Sequence, residues 1–316
     1  MPSNTTPPCK LLHTLPSKGP VHICVFNSTS TYLLSSGSSR QISLHNPQTG
    51  NLIKQYTGAH AYEVLSISCT KDNTRFASSG GDRNAFVWDV STGEVVRRLG
   101  GHTGKVNVVE SGANDTVLAT GSFDTTIRLW DTKSNNKLPI QILDEARDSI
   151  TSLLIRDHTI TSGCVDGYLR TYDLRMGLLT KDFFDQPITS LTSSKNTPSL
   201  ILLSVLSVPS SHSSLKSQKA AHHLLDTSNG TILQSYFGHE NENYRIKSCF
   251  AGSNEEFVLG GDEEGWLRYW DTETGEIVKK LKVGERSVLW CANSGKKGMT
   301  VVGNRDGEVK IFDGGE

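Results

Sequence analysis

One phrase recurs along the chain and restricts its fold more than any other feature: small residues, an acid, three or four more residues, then an apolar run closing on Trp-Asp. Its clearest copies are Thr120-Gly-Ser-Phe-Asp-Thr-Thr-Ile-Arg-Leu-Trp-Asp131 and Ser79-Gly-Gly-Asp-Arg-Asn-Ala-Phe-Val-Trp-Asp89. Weaker copies end at Asn46, Asp173, Asp226, Asp271 and Asp313, so that successive ends lie 43, 42, 42, 53, 45 and 42 residues apart. Units this short bury little apolar surface alone and become stable by packing on their neighbours. A chain of 316 residues is long enough for two ordinary domains, but the repeat makes one architecture of the whole length.

Within a unit the apolar runs alternate with period two, as in Val106 and Val108 against Asn107 and Val109, and they are rich in β-branched residues. Asn46-Pro-Gln-Thr-Gly50, Ser91-Thr-Gly93 and Glu273-Thr-Gly275 follow the Trp-Asp ends, where a tight hairpin needs a residue tolerant of positive φ. The period matches the ~40–45 residues of a WD repeat, a four-stranded sheet that packs radially with its fellows. The expected fold is therefore all-β, a seven-bladed WD-repeat β-propeller spanning residues 11–316 behind a flexible tail at 1–10. The seventh unit stops almost at Asp313, so Leu11 to Leu15 are expected to supply its missing strand, closing the ring and covering an open sheet edge.

Charge and composition narrow the function classes. Lys plus Arg number 32 against 33 Asp plus Glu, a balance with no broad attraction for phosphate backbones or anionic lipid, so neither nucleic acid nor membrane is expected as a direct partner. No signal-peptide core is present and no apolar run approaches the ~18 residues of a spanning helix, which points to the cell interior. The 6 cysteines are scattered without a C-x-x-C pair and read as reduced, structural thiols. His212, His222 and His223 fit no zinc spacing, no phosphate-binding glycine loop occurs, and Gly80-Gly81 and Gly260-Gly261 read as turn and packing glycines, so neither metal nor cofactor is expected.

Two repeats carry what resembles a hydrolase triad: His60, Ser78 and Asp82 with Trp88, then His102, Thr120 and Asp124 with Trp130. A triad needs a single site with an exposed nucleophile and an oxyanion pocket. Recurrence at repeat spacing points instead to a buried structural hydrogen-bond chain in each blade, and no enzyme is expected. An acid falls seven residues before the terminal Asp at Asp82, Asp124, Asp166, Glu264 and Asp306, while Ser39 and Lys219 break the pattern. Such constancy indicates a carboxylate that holds its own turn, worth roughly 1–3 kcal/mol, so the first and fifth blades should be the weaker ones.

Recognition on a rigid frame is usually carried by loops. Counting from the start of each inner strand gives Glu63, Leu65, Lys105, Asn107, Thr151, Arg245, Lys247 and Leu289 as a candidate protein-binding face. Phe123, Val165, Glu263 and Arg305 precede the turn acids and join them, with Glu145, Arg147 and Asp148 on an adjacent loop. The mixture of charged and apolar residues, with Phe123 as anchor, suits a protein partner.

Leu143-Asp-Glu-Ala-Arg-Asp148 and Tyr172-Asp-Leu-Arg-Met-Gly177, with Tyr62-Glu-Val-Leu65 and Gly101-His-Thr-Gly-Lys-Val-Asn107, resemble the mitogen-activated protein kinase organizer family over nearly the whole chain. The resemblance implies a scaffold that gathers kinase-cascade components in the cytoplasm and associates with the spliceosome in the nucleus, a monomeric propeller within larger complexes. The chain departs from the family in the fifth repeat, where residues 205–221 form an irregular, Ser-rich insertion. It reads either as a functional loop open to phosphorylation or as a retained stretch of intron; the second is favoured, because the turn and its acid are missing. A different class of function, the substrate receptor of a cullin-type ubiquitin ligase, is suggested by Tyr172-Asp173-Leu174-Arg175. That run is similar to a W-D-x-R adaptor box, in which only Arg175 goes beyond what the fold requires.

Overall fold

The alternating runs form strands because each places one row of apolar side chains toward a neighbouring sheet. In the computed structural model, which describes residues 10–112, 114–134, 136–208, 218–294 and 298–313, a lone strand β1 (Leu11–Pro16) precedes seven repeats. The first holds β2 (Val21–Phe26), β3 (Leu33–Gly37), β4 (Ile42–His45) and β5 (Leu52–Tyr56). The second holds β6 (Val64–Cys69), β7 (Arg75–Gly80), β8 (Ala85–Asp89) and β9 (Val95–Leu99), and the third β10 (Val106–Ser111), β11 (Val117–Ser122), β12 (Ile127–Asp131) and β13 (Gln141–Leu143). β14 (Ile150–Arg156), β15 (Thr159–Cys164), β16 (Tyr168–Asp173) and β17 (Leu178–Phe183) form the fourth. The fifth follows with β18 (Ile188–Ser193), β19 (Leu200–Val205), β20 (Ala221–Asp226) and β21 (Thr231–Tyr236). β22 (Ser248–Ala251), β23 (Phe257–Gly261), β24 (Trp266–Asp271) and β25 (Ile277–Lys282) form the sixth, and β26 (Val288–Asn293), β27 (Thr300–Asn304) and β28 (Glu308–Phe312) the seventh.

Each of the first six repeats is a four-stranded sheet in chain order, and the seventh is completed by β1 beside β28. This is the expected seven-bladed WD-repeat β-propeller. The register of the last sheet runs from Leu11 opposite Phe312 to Pro16 opposite Glu308. Two compact units are distinguishable, one of Val25–Asn46 with Asn51–Ile188, the other containing β1 and the chain from Thr189 onward. Within the first, Trp130 packs with Ala77, Ala85 and Leu99 of the preceding blade; within the second, Trp270 packs with Leu202, Leu224 and Tyr236.

Two local features position the surface. The inner strands β6, β10, β14 and β26 each carry a bulge after their first residue, leaving Leu65, Asn107, Thr151 and Leu289 as the extra residue. Beside the first of these bulges stands Gly80, where a Cβ would lie 2.0 Å from the Glu63 carbonyl oxygen, so only glycine allows the strands to approach there.

The insertion of the fifth repeat lies in the β19–β20 hairpin. Its boundaries are narrower than the expected 205–221, because Val205 and Ala221 still pair with each other as strand residues. Val208 and Gln218 form a bridge beyond them, while residues 209–217, and with them His212, lie outside the described residues, as do residues 1–9 of the expected tail at 1–10; Lys10 is described, and its carbonyl accepts from the Asp313 amide. Both flanking strands survive the insertion, since a hairpin turn is the place where added length disturbs least. Among the described residues Cys24, Cys69, Cys164, Cys249 and Cys291 are free thiols.

Candidate protein-interaction site

The acid and base side chains of the second and third blades bond to one another, and one consistent direction of donation runs through each set. Trp88 Nε1–H donates to Ser78 Oγ at 2.8 Å, Ser78 Oγ lies 2.8 Å from His60 Nε2, and His60 Nδ1 lies 2.5 Å from the Asp82 carboxylate. Because the indole can only donate and the carboxylate only accept, the hydroxyl donates to Nε2 and the ring carries its proton on Nδ1. Burial lowers the pKa of His60 against the opposing pull of Asp82, which keeps the imidazole neutral. Trp130, Thr120, His102 and Asp124 repeat the arrangement at 3.0, 2.8 and 2.9 Å. Burial pushes the Asp124 carboxyl up, but hydrogen bonds from His102, Thr126 and the Thr103 amide outweigh it and hold the group well below the usual carboxylate range. Ser78 and Thr120 are fully buried, so neither hydroxyl can meet a substrate.

The second oxygen, or second lone pair, of each carboxylate ties down the loop that enters its own blade. Asp82 accepts from the Ala61 amide at 2.7 Å, Asp124 from Thr103 at 2.9 Å, Asp166 from Arg147 at 3.1 Å and Asp306 from Glu285 at 2.8 Å. In the sixth blade Glu264, which the repeat's spacing marks as the turn acid, makes no such bond among the described residues. Glu264 is exposed, and Glu263 reaches the loop instead, accepting from the amides of Glu242, Asn243 and Tyr244 at 2.8, 2.6 and 3.1 Å. Glu263 is thereby removed from the candidate binding face, its carboxylate being committed within the fold.

Sequence reasoning missed two arginines that pair with acids in the fourth and sixth blades. Arg170, only 2% exposed, donates both terminal nitrogens to Asp166 at 3.0 and 2.6 Å. Burial raises the Asp166 carboxyl, yet Arg170 and three further donors bring it down to about 2. In the sixth blade Arg268 pairs with the fully buried Asp262. Their signal lay in the repeat itself, a basic residue three before the terminal Asp at Arg128, Arg170, Arg268 and Lys310. His239 was missed as well. Its ring stacks on His222 with centroids 4.1 Å apart, both rings edge-on to Trp270.

Of the face residues, three are not exposed. Asn107 is 9%, Thr151 2% and Leu289 5% accessible, because a bulge aims its extra residue inward rather than outward. Asn107 donates to the Ile150 carbonyl at 2.9 Å and Thr151 to that of Ile188 at 2.7 Å, satisfying the next inner strand. Leu65, Val165 and Arg245 are half-buried. In the unit from Thr189 onward, Lys247 sits 4.2 Å over the Trp290 ring and Arg305 4.4 Å over that of Tyr244, while the Arg305 guanidinium also donates to the Tyr244 hydroxyl.

In the other unit a patch remains open to solvent. Phe123 is 63% exposed, its amide pinned to the Lys105 carbonyl at 2.9 Å. Tyr62 is 61% exposed and was missed, because the position equivalent to Phe123 in the second blade is Gly81. A Cβ there would lie 2.7 Å from that of Tyr62, so the tyrosine occupies the space the glycine leaves. Between the two aromatic residues Lys105 and Glu63 form an ion pair of 2.9 Å at the surface. Arg175 is also exposed, but its neighbour Asp173 accepts the amides of Arg175 and Met176 in a tight turn, the role the fold gives this acid elsewhere. Among the described residues no group of His, Cys, Asp and Glu is arranged to hold a metal ion.

Comparison with known proteins bears on the repeat. The family described as WD domain, G-beta repeat matches residues 50–89 and 93–131. An uncharacterized WD repeat-containing protein of Schizosaccharomyces pombe is 42% identical over 84% of this chain and 85% of its own length. WD repeat domain-containing protein 83 of Rattus norvegicus is 39% identical over 89% of this chain and 85% of its own. Autophagy-related protein 16 of Arabidopsis thaliana is 28% identical over 86% of the chain but only 51% of that protein.

Proposed function

Since the chain belongs to the WD-repeat family, alongside relatives named WD repeat domain-containing protein 83, we propose that it is a non-enzymatic scaffold that assembles other proteins. The observation that carries this reading is the pair of exposed aromatic residues, Tyr62 and Phe123, held on loops of a rigid frame around the Lys105–Glu63 ion pair. Aromatic anchors beside charged groups are the composition of interface hot spots. The groups that could have done chemistry are engaged in holding the blades together.

On this reading the partners are components of a mitogen-activated protein kinase cascade and proteins of the spliceosome, met in the cytoplasm and the nucleus by a single chain within larger complexes. The phrases at Leu143 to Asp148 and Tyr172 to Gly177 support that finer assignment. Affinity purification with mass spectrometry tests it, comparing the wild type with a Tyr62→Ala, Phe123→Ala, Lys105→Glu variant and, separately, with Arg305→Glu. Kinase-cascade or splicing proteins should be recovered with the wild type and lost with the triple variant. Equal recovery would show that the Tyr62–Phe123 patch is not the binding surface. A ubiquitin-ligase adaptor that dominates the wild-type sample and is lost with Arg175→Ala would replace the scaffold reading altogether.

A further inference from the structure

At the opposite end of the same strands, between the second and third blades, a cleft of about 500 Å³ opens to solvent. This lies within the ~300–1,000 Å³ of sites that hold a small molecule or an anchoring side chain. Its floor is apolar: the buried Phe76, Leu118 and Trp130 line it with the half-buried Val87, and Val96 is 50% exposed.

The rim is charged, and its charges are unequally committed. Asp72 accepts hydrogen bonds from the Thr70 and Thr74 hydroxyls, and Asp115 from the Lys71 amide and the Ser111 hydroxyl. Arg97 donates to the carbonyls of Asp131 and Asn136. Arg75, next to Asp72, and Lys133 are both exposed, and neither side chain has a hydrogen bond or ion pair among the described residues. What the cleft offers a visitor is therefore an apolar slot between cationic donors that are still available.

We infer that this cleft is a second docking site, taking a short extended segment of a partner protein in which an apolar side chain is flanked by carboxylates. The apolar side chain enters over Val87, Val96 and Leu118, and the carboxylates meet Arg75 and Lys133. The inference rests on the scaffold reading and adds to it a second surface that can be filled at the same time. Strands of five or six residues at ~3.3 Å per residue keep the cleft roughly 15–20 Å from the Tyr62–Phe123 patch.

The test is selection of short random displayed peptides on the full chain, followed by titration of a synthetic peptide bearing the enriched sequence. Enrichment of an apolar residue between Asp or Glu is expected. The synthetic peptide should lose about tenfold or more in affinity with Arg75→Glu, Lys133→Glu and also with Val96→Glu, and none with Tyr62→Ala, Phe123→Ala. All of these side chains are exposed, so unchanged melting curves confirm that the variants fold. Failure of any sequence to enrich, or binding indifferent to both cleft variants, would overturn the docking site. The scaffold reading would stand in that case if the patch variant still lost its partners, so the two can fail separately.

Discussion

Gly260 of β23 faces Arg268 across its sheet as Ser78 faces Phe86 and Thr120 faces Arg128, so it stands where those blades have their hydroxyl. The space is filled from the fifth blade: a Cβ on Gly260 would lie 2.2 Å from His222 Nε2, and Trp270 donates instead to the Phe237 carbonyl at 2.9 Å. Burial, then the charges of His239 and His223, lowers the pKa of His222, while burial, then Arg268, pushes that of His239 down to about 3. Unfolded, both rings titrate near 6.5, so at pH values below this the unfolded chain binds more protons than the folded one. Stability is therefore complete above about pH 6.5 and falls as pH drops, by about 1.4 kcal/mol per pH unit for each group still neutral in the fold. Urea midpoints measured from pH 7 to pH 5 should decline, and a His222→Leu, His239→Leu variant should decline less, His60 and His223 still contributing in the same direction. An identical slope in the variant would contradict this account. At Thr120, replacement by Val keeps the shape and removes the hydroxyl, leaving Trp130 Nε1 and His102 Nε2 buried without it. A loss of about 1–3 kcal/mol is expected in chemical denaturation.

Among elements, β1 has the greatest leverage for its length. It covers the outer edge of β28 along the register Leu11 to Pro16, and without it that edge would present a row of unpaired backbone groups. Deleting residues 1–16 should lower the melting temperature and promote association, as followed by scanning fluorimetry and light scattering. A truncated chain that melts like the full one would show that the edge needs no cover. Loop capping also differs between blades. The second, third, fourth, sixth and seventh have a carboxylate accepting an amide from the entering loop, whereas Ser39 of the first bonds only the Gln41 carbonyl, at 3.4 Å. Hydrogen exchange should accordingly be faster in the first and fifth blades, where local opening has less to break.

At the scale of the whole molecule, the insertion is a change of length that spares the architecture. The fifth repeat places residues 206–220 between β19 and β20, where the second repeat needs only residues 81–84. Replacing 206–220 by a four-residue turn shortens the loop by nearly two halvings, which should stabilise the fold by about 1 kcal/mol. A destabilised product in thermal unfolding would mean that the insertion itself contributes packing. Partner binding belongs to this scale as well, because a scaffold acts through surfaces that its interior chemistry does not reach.

The sequence by itself determined the number of blades, their strand order and the N-terminal strand of the last one, because the Trp-Asp phrase and its period repeat wherever the same local hydrogen bonds are needed. His60, Ser78, Asp82 and Trp88 were legible for the same reason, each recurring at a fixed distance from the next. Which side chains remain open to a partner was decided only by tertiary structure. A bulge turns Asn107 and Thr151 inward, Gly81 makes room for Tyr62, and Glu263 takes the loop that Glu264 leaves. Exposure depends on which side chain comes to lie alongside, and that neighbour is about 20 to 40 residues away in the chain, beyond the reach of any local pattern.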